Sequence, residues 1–216
     1  MLIDLHNHTL HLSTDSGLTL DELLARAKER GLDGVCLTEH NAVWQNTARL
    51  EAAGQRHGLA VFRGMEVNTQ YGHVLVYGVR AFRNSMFNFD ELCRVVESEG
   101  GVMVLAHPQW VGVGRPPTMD IIANHFHGIE VLNGEVSNDA NGYVESMAVS
   151  LGKFGTGGSD SHSIGAVGKC ATLFQNPVRN EEEMVKEMRV GRVTAVRLAP
   201  SSNGLKSLNG NNSLPH

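Results

Sequence analysis

The sequence predicts an α/β protein, a distorted barrel of fewer than eight strands with a metal site at the C-terminal ends of those strands. Three observations predict it. Short apolar runs alternate with amphipathic segments of helical period along the chain, which is the pattern of repeated strand–helix units. Roughly seven main units follow one another. Imidazoles and carboxylates recur where the apolar runs end, and that is where a β/α barrel places its active site.

The elements follow in order. Residues 2–6 form a short apolar run that reads as a buried strand. Thr19 with Glu22 makes a capping-box start, and the helix it opens runs to about Arg30 and stops at Gly31. Residues 34–38 read as a second strand ending at Glu39 and His40. Residues 43–57 read as a helix closed by Gly58, and residues 59–67 as a third strand that delivers Glu66. After a Tyr71-Gly72 turn, residues 73–78 return as a strand, so His73 lies on a hairpin. A helix over 88–99 starts from an Asn cap and is stopped by Gly100-Gly101. Then come a strand over 102–106 ending at His107, a short helix over 119–125, a strand over 128–132, and a helix over 137–151. Phe154-Gly155-Thr156 leads into the Gly157-to-His162 segment. A late strand over 169–174, a helix over 181–190 and a last strand over 192–196 complete the domain. From residue 199 onward the chain lacks an apolar face and reads as a flexible tail. One domain, 1–198, is expected.

Composition bounds the function. The chain has 216 residues, 41% hydrophobic and 19% charged, with a net charge of -5. Those values describe a globular domain with a sizeable core. The negative balance and the lack of a basic run argue against a partner of long nucleic acid. No apolar stretch approaches the roughly 20 residues of a membrane span, and no signal peptide is read. The three cysteines, Cys36, Cys93 and Cys170, are odd in number and widely spaced. They fit thiols of a reducing compartment, and the cytoplasm is the expected location. Oligomeric state is left open.

The chemistry starts at Asp4-Leu5-His6-Asn7-His8. On a strand, residues i and i+2 point the same way, so His6 and His8 project together, as the first ligands of a metal site do. Asp15, His40, Glu66, His73, His107, Asp160 and His162 each stand where an apolar run ends or turns. Imidazole and carboxylate without thiolate suit Zn, Mn or Fe(II).

These motifs resemble the PHP family (polymerase and histidinol phosphatase): His6-x-His8 with Asp15, Thr38-Glu39-His40, Gly64-Met65-Glu66-Val67, Ala106-His107-Pro108 and Ser159-Asp160-Ser161-His162, in the family's order over nearly the whole chain. The resemblance implies a (β/α)7-type barrel with two or three divalent metals. It implies His6, His8, Glu66 and Asp160 at a first metal and Asp15, His40 and His162 at a second. Glu66 would bridge to a third metal with His107 and His73. Longer relatives place their third-metal histidine differently from His73, and the family more often has Asp where this chain has Glu39. Hydrolysis of a small phosphate ester, mono- or diester, by a metal-bridged hydroxide is the implied activity, with Asp160, Glu66 and His162 as its catalytic groups.

Glu39 and Asp4 are expected to orient imidazoles from behind the ligands. Arg115, His11 and Asn133 are the candidate substrate contacts. Arg115 ends a Gly-rich loop after His107 and can meet a phosphate oxygen in bidentate fashion. Arg63 and Lys169 are further cations for the mouth. Two alternatives stand beside this reading. One is an amidohydrolase-like enzyme that attacks a carbonyl substrate with the same metals. The other is a non-catalytic, metal-stabilised module. Cations at the rim favour phosphate, and a complete ligand set disfavours lost catalysis.

Overall fold

A computed structural model describes residues 1–108 and 115–199. Nine strands form one sheet: β1 (Leu2–Asp4), β2 (Gly34–Leu37), β3 (Ala60–Thr69), β4 (Gly72–Tyr77), β5 (Val102–Leu105), β6 (Gly128–Asn133), β7 (Phe154–Gly158), β8 (Cys170–Phe174) and β9 (Val193–Arg197). The helices are α1 (Leu20–Glu29), α2 (Thr47–His57), α3 (Phe89–Glu99), α4 (Met119–His125), α5 (Asn138–Ser150) and α6 (Glu181–Arg189), with a 3-10 turn at Asn84–Phe87. The expected tail, apart from Ala199, and residues 109–114 of the expected substrate loop lie outside the described residues.

The spatial order is β7-β6-β5-β4-β3-β2-β1-β8-β9. The sheet curls into a nearly closed barrel. Beyond the ends of β7 and β1 the chain pairs Asn7 with Ser161, the Asp160 N–H donates to the His6 carbonyl at 2.8 Å, and the His8 N–H donates to the Ser161 carbonyl at 3.1 Å. Seven strands therefore ring the site, while β8 and β9 form an antiparallel pair flanking β1. The hairpin expected after Tyr71-Gly72 is present. β4 runs antiparallel to both neighbours because only a tight turn separates it from β3.

Burial follows sequence period. In β4, Val74 and Val76 face the cluster under α3, α4 and α5, while Leu75 and Tyr77 face the interior with Ile3, Phe62 and Val104. Met184, Val185 and Met188 of α6 pack into that interior cluster. The capping box of α1 forms as its sequence predicts: Thr19 Oγ1 accepts from the Glu22 N–H at 3.2 Å and Glu22 accepts from the Thr19 N–H at 2.9 Å. α2 starts later than expected. Asn46 caps it, and Val43 and Trp44 are buried in the loop before it. Among the described residues no helix is long and apolar enough to cross a membrane.

The seam between β7 and β1 leaves no room for a side chain. A Cβ on Gly158 would sit 2.3 Å from the His6 Cβ and 2.8 Å from Glu130 Oε1. Gly158→Ala is expected to lower stability by about 1–3 kcal/mol, the usual cost of overpacking, read as a shift in the urea midpoint. An unchanged midpoint would mean that β7 stands further from β1 in solution.

Candidate metal centre

β1 stops at Asp4, short of the expected residue 6, and the two imidazoles follow it in the next four residues. His6 and His8 point into the barrel mouth with their Nε2 atoms 3.1 Å apart, and both are fully buried. Asn7 between them turns the other way and holds the Asp4 and Cys36 carbonyls.

Glu66, near the end of β3, is the hub. Its Oε1 lies 2.8 Å from His73 Nδ1, 3.0 Å from His107 Nε2 and 3.5 Å from His6 Nε2. Its Oε2 lies 3.0 Å from His40 Nδ1 and 3.4 Å from His8 Nε2. Asp160, just past β7, places Oδ1 at 3.4 Å from both His6 and His8. Asp15, more exposed, reaches His40 Nε2 at 3.1 Å and His162 Nε2 at 3.5 Å. His73 enters from the start of β4, the reversed strand, rather than from a strand's C-terminal end.

Among the described residues, four overlapping groups have donor atoms close enough to share an ion: His6 with His8 and Glu66, His6 with His107 and Asp160, His8 with His40 and His162, and Glu66 with His73 and His107. Asp15 belongs to none of them but flanks His40 and His162. Glu66 Oε2, His40 Nδ1 and His73 Nδ1 are buried without a hydrogen-bond partner. The two nitrogens lie within 3.0 Å of Glu66 oxygens and still make no hydrogen bond to them. Buried nitrogen and oxygen atoms that converge in this way fit a divalent cation, since an orphaned buried polar atom is otherwise costly.

Electrostatics agree. Burial alone would raise Glu66 and Asp160, yet the facing imidazoles, His6 first, hold both carboxyls below the usual range. Burial works against a charged His6, but Asp160, Glu130 and Glu66 push its proton affinity well up. His40 and His107 are raised against burial chiefly by Glu66. Burial lowers His8.

The backbone is strained here. Asn41, His107 and Asp160 take positive φ values of 52°, 23° and 52°, a region costly for residues with a Cβ. Each is pinned through its N–H, to the Glu66 carbonyl, Glu130 Oε2 and the His6 carbonyl respectively.

The supporting residues act less directly than expected. Asp4 touches no imidazole ring. Its Oδ1 accepts from the Ser159 N–H at 2.9 Å and the His6 N–H at 3.3 Å, and burial pushes its carboxyl up to about 6. Glu39 likewise meets no ligating ring; it accepts from Thr9, Ser13 and Trp44. The carboxylate that holds a ring nitrogen directly from behind is Glu130: Oε1 accepts from His6 Nδ1 at 2.9 Å, and Oε2 accepts from the His107 N–H at 2.9 Å. A charged residue inside an otherwise apolar strand was the available signal, because a buried charge needs a partner. Glu130→Gln is expected to weaken metal affinity about 10–100-fold, measured by competition with a chelator. Equal affinity would remove Glu130 from this role.

The substrate contacts are also redistributed. Asn133 is fully buried, and its amide donates to Glu130 Oε2 at 3.0 Å and Asp160 Oδ2 at 3.2 Å, so it steadies a carboxylate instead of facing a substrate. Arg63 turns from the mouth to Glu181 at 2.9 Å. Lys169 is paired with Glu135 at 2.6 Å. His11 stacks on Trp44 at 4.5 Å. The Arg115 N–H donates to the Gln70 carbonyl at 2.8 Å, which ties it to the β3–β4 turn near His73. A cavity of about 600 Å³ opens beside the centre, lined by Asp15, Asp160, His162, Glu135, Ser137 and Ala140 among others.

A barrel whose mouth gathers imidazoles and carboxylates in this way is that of a metal-dependent hydrolase. The chain belongs to the PHP domain family, whose model matches residues 4–159, and a PHP-associated model matches residues 138–193. A comparison with curated protein sequences finds no match. Several solved structures are similar. PsfC from Pseudomonas syringae is 23% identical with a TM-score of 0.70, over 92% of this chain and 91% of that one. An amidohydrolase from Chromobacterium violaceum, with bound sulfate and no metal, is 19% identical with a TM-score of 0.65, over 93% and 99%. A protein from Bifidobacterium adolescentis, described as a candidate metal-dependent phosphoesterase, is 18% identical with a TM-score of 0.61, over 86% and 95%. At these identities the likeness concerns the fold.

Proposed function

We propose that the chain hydrolyses a small phosphate ester, with two or three divalent cations (Zn, Mn or Fe) held at the barrel mouth. The observation that carries its cations is the convergence of buried Glu66, His40 and His73 atoms that make no hydrogen bond. His6, His8, Glu66 and Asp160 would hold one cation, and Asp15, His40 and His162 a second. Glu66 would reach a third with His73 and His107. When bound, such cations supply Lewis acidity and an acidified water at neutral pH.

The chain's own residues do the rest. Glu66 and Asp160 supply fixed negative charge between the imidazoles. Glu130 and Asn133 keep His6 and Asp160 from rotating. His162, whose Nδ1 is turned to the Asp160 carbonyl at 3.0 Å, directs its Nε2 toward Asp15 at the cavity wall. The cavity receives the organic part of a small phosphorylated molecule, and Arg115 stands near the hairpin as a contact for a phosphoryl oxygen. The neighbour described as a candidate phosphoesterase supports the choice of ester. The neighbour called an amidohydrolase keeps a carbonyl substrate as the second reading. The pairing of Arg63 and Lys169 with carboxylates removes two of the rim cations that favoured phosphate.

The test is Mn2+-dependent release of p-nitrophenol from the phosphate monoester and the diester side by side, with Asp160→Asn as control. Turnover that disappears in the variant is the expected result, and the faster substrate names the ester class. Metal-loaded protein that turns over neither ester but cleaves a carbonyl substrate would overturn the phosphoesterase reading.

A further inference from the structure

Glu39 touches no imidazole, yet its hydrogen bonds dictate one. Oε2 accepts from the Thr9 N–H at 3.0 Å and from Ser13 Oγ at 2.6 Å; Oε1 accepts from Thr9 Oγ1 and from Trp44 Nε1 at 2.8 Å. The Thr9 amide and the Trp44 indole can only donate, and one faces each oxygen. Position 39 therefore needs an acceptor at both ends, which a carboxylate provides and a carboxamide does not.

Ser13 completes the argument. A hydroxyl has one proton and two lone pairs. The proton goes to Glu39. One lone pair takes the His40 backbone N–H at 3.2 Å, and the other faces His8 Nδ1 at 3.2 Å. With every other capacity of Ser13 used, His8 Nδ1 must carry a hydrogen. We propose that Glu39, acting through Ser13, is the positioning residue that fixes His8 in its Nδ1–H tautomer and so frees its Nε2 lone pair for the centre. That Nε2 lies 3.4 Å from Glu66 Oε2 and from Asp160 Oδ1. Glu130 imposes the same tautomer on His6 directly. Two Nε2 lone pairs then face each other at 3.1 Å, a repulsion that a shared cation or proton relieves. The Ser13 oxygen also fixes the His40 backbone, so one hydroxyl sets the two rings stacked at 4.3 Å.

The inference rests on His8 as a metal ligand, and its readout needs no turnover. Nitrogen-15 NMR of the metal-free protein at pH 8 should show His8 protonated on Nδ1. Ser13→Ala and Glu39→Gln should each lose that preference and bind zinc about 10–100-fold more weakly in chelator competition. If Ser13→Ala does not fold, the parent spectrum and Glu39→Gln decide. A parent whose His8 carries its proton on Nε2, or variants that keep both tautomer and zinc affinity, would overturn the relay. Failure to hydrolyse phosphate esters would refute the proposed activity and leave the tautomer result untouched.

Discussion

Glu66→Gln is expected to lower kcat/KM by about two to four orders of magnitude and to empty the centre of metal. The carboxylate stands within 3.5 Å of His6, His8, His40, His73 and His107. It is buried, so its charge is screened little. Removing one partner from a buried charged cluster costs about 3–5 kcal/mol of folding stability; a loss of about that size in transition-state stabilisation, once the cations the carboxylate would hold are gone, is two to four decades at 1.36 kcal/mol per decade. The amide is isosteric, so shape is preserved and charge is the variable. Its NH2 would also aim donors at imidazole nitrogens whichever way it turned. Metal content and steady-state kinetics measured on the same preparation check the expectation. A variant that keeps its metal and stays within tenfold of the parent rate would show that Glu66 is not the hub.

The second large effect is a pH dependence that metal cancels or reverses. In the metal-free protein, His6, His40 and His107 have folded proton affinities above the ordinary value of 6.5. Their contribution to stability is fully present below 6.5 and is lost as pH rises through the raised folded values. Asp4, raised to about 6 by burial, adds to the same loss over its own range, between 3.8 and about 6. His8 is lowered, so it opposes the trend only as pH falls below 6.5. Glu66 and Asp160 are depressed, and their contribution is lost only in acid, as pH falls through their folded values. The metal-free Tm is therefore expected to decline from pH 6 to pH 8. Each tenfold change in proton affinity is worth about 1.4 kcal/mol. Cations compete with protons for the same lone pairs, so metal affinity should rise over that interval, and the metal-loaded Tm should hold level or climb. Thermal scans at both pH values, with and without metal, decide it. A metal-free Tm that rose with pH would contradict the raised imidazoles.

Local signals made the strand–helix succession readable. The apolar runs, the Thr19–Glu22 box and the Gly58 and Gly100 stops placed the elements within a few residues. The i, i+2 rule put His6 and His8 on one face, and the fold brings every expected imidazole and carboxylate of the centre to one mouth. The supports were harder to read. Glu130 meets His6 across 124 residues of chain, and Ser13 meets Glu39 across 26; such pairings have no local pattern. Asn133 reads as a strand-end polar residue whether it faces substrate or Asp160. Periodicity fixes the face of Arg63 but not the choice of Glu181 over solvent.

The reversed β4 has a consequence for how the centre comes together. Glu66 and His73 belong to one hairpin, a unit that closes in microseconds. His6 and His8 meet Asp160 only when the two ends of the barrel find each other, a joining marked by the Asn7–Ser161 contact 154 residues apart in the chain. Loop-closure entropy makes that joining the slow event. Topology therefore predicts a centre that grows outward from the Glu66 hairpin and is completed by the capture of the first strand by the seventh. A nascent chain released before residue 160 would carry the hub without the carboxylate that shares His6 and His8.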